Sequence, residues 1–105
     1  MSRFRIQHPT KPAIYAEAGV DHAVGPFFVE LYKEGRSRPS KSLDMLTASK
    51  PVGIQDCFEF LIDHGFFGQE DLEQALVYLQ DGGRKPSKDV ARVVEVLREF
   101  KVAAD

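Results

Sequence analysis

Apolar and polar positions alternate over parts of the first half of the chain and recur at helical spacing over the second. The strongest strand signal is Phe27-Phe-Val-Glu-Leu-Tyr-Lys33, an aromatic and β-branched run. Period two puts Phe27, Val29 and Leu31 on one face and Phe28, Glu30 and Tyr32 on the other, and the first is the better core face. Residues 13–18, Ala-Ile-Tyr-Ala-Glu-Ala, read as the strand before it. Glu34-Gly35 suits a two-residue turn. The chain then returns through residues 36–46 as a third strand. Pro39 cannot donate to a ladder, so this strand is at an edge or starts after it. Residues 1–12, with Pro9 and Pro12, read as an irregular arm holding a short strand over residues 4–6.

After Pro51 the period changes to that of a helix. Over residues 52–64, Ile54, Cys57, Phe58, Phe60, Leu61 and Ile62 share one broad arc, and Asp56, Glu59 and Asp63 lie opposite. Gly65 suits the left-handed residue that closes a helix. A second helix is expected over residues 69–79, with Gly68 at its N-cap and a core stripe of Leu72, Ala75, Leu76 and Leu79. Ser87 caps a third, over residues 88–102, whose apolar arc includes Val90, Val93, Val94, Val96, Leu97 and Phe100. Strands first and helices after give a single α+β domain over residues 1–105. Its sheet, residues 13–46, has two to four antiparallel strands packed against three helices, residues 52–102.

At 43% apolar and 29% charged, the 105 residues have the composition of a soluble globular domain. A net charge of −2 argues against a general nucleic-acid binder. Charge is nonetheless polarised. Residues 51–83 hold Asp56, Glu59, Asp63, Glu70, Asp71, Glu73 and Asp81 and no base, while the flanking segments carry a basic excess. One cysteine, Cys57, allows no internal disulfide and fits a reducing compartment, the cytoplasm. No run is long and apolar enough to span a bilayer, so no membrane association is expected. Residues 19–30 and 60–68 read like parts of a compact bacterial domain but carry no activity motif.

The best catalytic-looking group is Asp21-His22, which Glu17 and Glu30 can approach across the hairpin. A carboxylate beside a histidine orients the ring and raises its basicity. The plainer reading is a turn Asp and a backbone-bonded His, so no catalytic residue is assigned. His8, His22 and His64 lack the close spacing of zinc ligands, and no metal site is expected. Cys57 reads as a small buried hydrophobe, and His64 as a cation at a helix C-terminus. Gly25-Pro26-Phe27 and Gly53-Ile54 fit no phosphate-loop pattern, so no cofactor is expected. Arg36, Arg38 and Lys41 form a basic hairpin that suits phosphate contacts, but no aromatic stands among them for base stacking.

Apolar side chains remain outside the core stripes. Phe28, Tyr32, Phe60, Tyr78 and Val96, with Val77, are the candidates for a contact surface. The function expected is a non-enzymatic interaction or adaptor module, most simply a homodimer, or one that meets another protein. One competing reading is a small-molecule binder or small enzyme using the Asp21-His22 loop, with a pocket lined by Phe27, Phe58, Phe66 and Phe67 and His22 or Tyr15 at its mouth. Another is a nucleic-acid accessory protein using the basic hairpin of residues 33–41.

Overall fold

The computed structural model describes residues 2–21 and 26–104. Strands β1 (Ser2–Gln7), β2 (Ile14–Val20), β3 (Phe27–Lys33) and β4 (Lys41–Leu43) form one antiparallel sheet in that order. Helices α1 (Met45–Ala48), α2 (Ile54–Asp63), α3 (Gln69–Asp81) and α4 (Lys88–Ala104) follow. The expected α+β order is therefore present, with two local differences.

The first is β1. Residues 2–7 are not an irregular arm but a six-residue edge strand on β2. Their alternation explains it: Phe4 and Ile6 face the core, while Arg3 and Arg5 lie on the outer face. The second is α1, where extended chain through Leu46 was expected. Asp44 and Thr47 form a capping box: the Thr47 amide donates to Asp44 Oδ1 at 2.8 Å, and the Asp44 amide to Thr47 Oγ1 at 2.9 Å. These local bonds end β4 at Leu43.

The larger helices cover one face of the sheet. α4 crosses β1 and β2, α2 lies on β3, and α3 packs against α4. Phe100 of α4 is the hub of the core. Its ring centroid lies 5.0 Å from that of Phe4, 6.0 Å from Phe27 and 5.5 Å from Phe58. Val29 and Leu31 are buried beneath α2, as the period-two reading requires.

Helix ends follow from local chemistry. The Val90 amide donates to Ser87 Oγ at 3.3 Å, so Ser87 caps α4. At the end of α2 the Gly65 amide donates to the Ile62 carbonyl and the Phe66 amide to the Leu61 carbonyl. This is a Schellman closure, and it needs the left-handed backbone of Gly65, φ +80°. Buried His8 ties β1 to this corner. Its Nδ1 accepts from the Thr10 and Lys11 amides, so its Nε2 carries the proton and donates to the His64 carbonyl at 3.2 Å.

α3 sits differently from the expectation. Ala75 is its one buried residue among those described, and Leu72 and Tyr78 are half-buried. Leu76 and Leu79, assigned to the core by periodicity, are exposed. Small Ala75 marks where α3 packs closely. That contact turns the helix so that Leu72 and Tyr78, not Leu76, flank the buried line.

Candidate functional site

Three surfaces carry organised chemistry. The first is the sheet face opposite the helices. Arg3 Nη1 donates to Glu17 Oε1 at 2.7 Å and to Glu30 Oε1 at 2.8 Å. Those acids are cross-strand partners, Glu17 on β2 and Glu30 on β3, so one cation clamps three strands. The Glu17 hydrogen bond, chiefly, holds the Arg3 guanidinium more firmly protonated than usual, against some burial. The Arg3 guanidinium carbon also stands 4.9 Å from the Phe28 ring centroid. Beside this clamp the Tyr15 and Tyr32 rings stack at 5.3 Å and 7°, and Arg5 lies 3.7 Å from the Tyr15 centroid. Burial, then the charge on Glu30, pushes the Tyr32 phenol upward, and its hydroxyl donates to Glu30 at 3.4 Å.

The second surface is the β3–β4 connection. Lys33, Arg36, Ser37, Arg38, Pro39 and Ser40 line an open depression of about 390 Å³. Lys41 begins β4 and is exposed.

The third is α3. Leu76, Val77 and Leu79 are 49%, 57% and 42% exposed. A depression of about 390 Å³ on one flank is lined by Ile54, Phe58, Leu72, Leu76 and Leu97, among others. Another of about 450 Å³ on the other flank reaches Glu73, Val77, Tyr78, Arg84 and Lys85. α3 is thus an apolar ridge between two hollows.

The sequence candidates fall out as follows. His22 lies outside the described residues. Asp21 is half-buried, and its amide donates to the Pro26 carbonyl at 3.2 Å. Glu17 and Glu30 do converge, but on Arg3. Of the apolar candidates, Phe28 and Val96 are not surface groups. Phe28 is buried on the clamp side, outside the main core cluster, and Val96 is within that cluster. Tyr32, Phe60 and Tyr78 are half-buried, the last two packed against the core. Among the described residues the aromatic candidates Phe27, Phe58, Phe66 and Phe67 do not line one common pocket: Phe58 borders the hollow beside α3, and Phe66 and Phe67 border a separate depression. Phe58 packs on Phe67 and Phe100, Phe66 on His8, and Tyr15 lies on the opposite sheet face.

His64 is the C-cap of α2, its amide donating to the Phe60 carbonyl at 3.1 Å. Its ring lies 4.5 Å from that of Phe60, and burial, then Lys41, lowers its pKa against the pull of Asp63, which works against the cationic form expected at that helix end. Cys57 is fully buried, and its thiol is pushed up to about 12 by burial and then by Asp56. Among the described residues no three His, Cys, Asp or Glu side chains gather as metal ligands, and no helix is long and apolar enough to cross a membrane.

No family model, curated protein or solved structure matches the chain.

Sequence reasoning missed the clamp and the outward stripe of α3. Signals for both were present. Arg3-Phe-Arg-Ile-Gln7 alternates strictly, and a lone alanine in the middle of an otherwise bulky helical stripe marks a close crossing.

Proposed function

We propose that the protein is a non-enzymatic interaction module that pairs with a second copy of itself along α3. The observation that carries this is the exposed Leu76–Val77–Leu79 ridge between its two hollows. Leu76 and Leu79 lie about 60° apart around the helix and Val77 about 100° from Leu76, and exposed apolar side chains grouped on one element are a usual mark of a protein contact. The ends of the ridge favour a second copy as the occupant. Glu70 and Glu73 stand toward its start, and Arg84 and Lys85 follow its end. An antiparallel pairing centred on Val77 sets position 70 of one copy against position 84 of the other. The loop after α3 then brings Arg84 toward the partner's Glu70 at both ends, as a two-fold axis requires, and these end contacts have to outweigh Glu73 facing Asp81 nearer the centre. The same contact seats Val77 and Leu76 against the partner's ridge. The lone, buried Cys57 supports a reducing compartment, the cytoplasm, as its place of work.

Sedimentation velocity between about 1 and 100 μM, a range that covers ordinary weak-to-moderate affinities, tests the reading. A dimer is expected, converted to monomer by Leu76→Glu or Val77→Glu with the thermal transition kept. Glu70→Arg should weaken it, and Glu70→Arg with Arg84→Glu should restore it. A wild-type chain that stays monomeric throughout overturns the proposal. So does a dimer indifferent to all four changes.

A further inference from the structure

The arginines of this chain fall into two groups. Arg3 is held by Glu17 and Glu30, Arg5 lies over Tyr15, Arg92 donates to the Gln7 carbonyl at 2.9 Å, and Arg98 pairs with Glu95 at 3.3 Å. Arg36, Arg38 and Arg84 have no such partner among the described residues. Arg84 lines a different hollow, which Glu73 also lines. Arg36 and Arg38 share one open depression with Lys33 and the Ser37 hydroxyl, and no carboxylate lines it.

The segment that carries them is pinned by its own backbone. The Arg36 amide donates to the Lys33 carbonyl at 3.1 Å, closing a turn through Gly35 at φ +83°. The Ser40 amide returns to the Leu31 carbonyl at 2.7 Å, and Ser40 Oγ donates to the same oxygen at 3.2 Å. The Glu34 amide donates to the Ala13 carbonyl at 2.7 Å, tying the turn to the neighbouring strand. The cations therefore project from a fixed turn at the sheet's end.

From this we infer that the β3–β4 connection is an anion site for phosphate groups, read by Arg36, Arg38 and Lys33. Guanidinium forks match the paired oxygens of a phosphate, and a lysine adds a point charge. No aromatic ring lines the depression, so a base has nothing to stack on. The site reads phosphate and not sequence. The phosphate can belong to a small polyphosphate or to a phosphodiester strand. This surface is separate from the α3 ridge, so the inference stands or falls apart from self-association.

Two probes separate the sources: inorganic triphosphate, by calorimetry, and a fluorescein-labelled single-stranded 12-mer, by anisotropy. Binding of either is expected at low salt. For the strand, three neutralised phosphates give a slope of about −2 in log affinity against log salt, or roughly a sixteenfold loss from 50 to 200 mM. Arg36→Gln with Arg38→Gln should abolish most binding and flatten the slope by about 1.4, leaving about −0.7 from Lys33. Lys101→Gln, an exposed cation elsewhere, should leave binding unchanged. Triphosphate alone marks a small polyphosphate site, and the strand alone marks a backbone contact. Three results overturn the inference: neither probe binds at 20 mM salt, the double variant binds as tightly as wild type, or Lys101→Gln weakens binding equally.

Discussion

Replacing Arg3 by methionine isolates what the clamp contributes. The change keeps the length and apolar stem of the side chain and removes its charge. Each Arg–Glu contact is partly exposed, with side-chain accessibilities of 38% for Arg3, 25% for Glu17 and 19% for Glu30. Such pairs each contribute about 0.2–1 kcal/mol. The guanidinium beside Phe28 adds about 0.5–1 kcal/mol. Its loss also leaves Glu17 and Glu30 as directly opposed like charges, which is itself destabilising. The expected cost is about 2 kcal/mol, or a fall in Tm of about 10 °C for a domain of this size. Urea unfolding of a mutant cycle tests the coupling. In a Glu17→Gln, Glu30→Gln background the same Arg3→Met change should cost clearly less, because the charge pairing with both acids is already gone. Raising salt to about 0.5 M should narrow the difference between backgrounds. Equal costs in both backgrounds would refute the clamp as a coupled unit.

Two further outcomes follow from single groups. Burial and Lys41 lower the His64 pKa, so the unfolded chain takes up that proton first. This contribution is complete above the ordinary value of about 6.5 and is lost as pH falls through the interval down to the folded value. Melting curves between pH 7.5 and 5 should show the fall, and His64→Gln should flatten it; an unchanged profile contradicts the assignment. At Gly19 a Cβ would overlap the Ser2 carbonyl, a backbone group that cannot swing aside. Gly19→Ala should push β1 off β2 and cost at least about 2 kcal/mol in urea unfolding; a neutral variant would mean that the strands sit farther apart than described.

Local chemistry was legible where a residue acts on its own backbone. Ser87 caps α4 and Gly65 closes α2, each as its type and position demand. Val29 and Leu31 face inward because period two leaves them no alternative once one face is covered. Tertiary choices were not legible. β1 contains no valine and a single isoleucine, and it is held by Phe4 and Ile6 packing into the core and by Arg3 reaching acids 14 and 27 residues away. Phe28 shares a strand face with Glu30 and Tyr32, so nothing local distinguishes a buried ring from an exposed one. Val96 is covered because α4 is packed by the sheet and also by α3, and so needs a wider apolar arc than a helix covered on one side. On α3, adjacent apolar stripes fit helical spacing equally well, and only the close contact at Ala75 decides between them. The candidate contact surface moved for that reason.

This division of labour bears on where a partner can sit. The outer sheet face looks open in topology, yet its arginines, acids and tyrosines already bind one another. A partner there would have to replace contacts the monomer makes at no cost in association entropy. β4, the edge nearer the basic turn, is only three residues long and offers little ladder to extend. α3 has made no such commitment. It buries one alanine and keeps two leucines and a valine in water. Covering those side chains at about 25 cal/mol per Å² returns free energy with few existing bonds to break. Met45 and Leu46 on α1 and Val102 near the end of α4 are exposed as well, but Leu76, Val77 and Leu79 share one helix flanked by two hollows, and that makes α3 the favoured seat for a second copy.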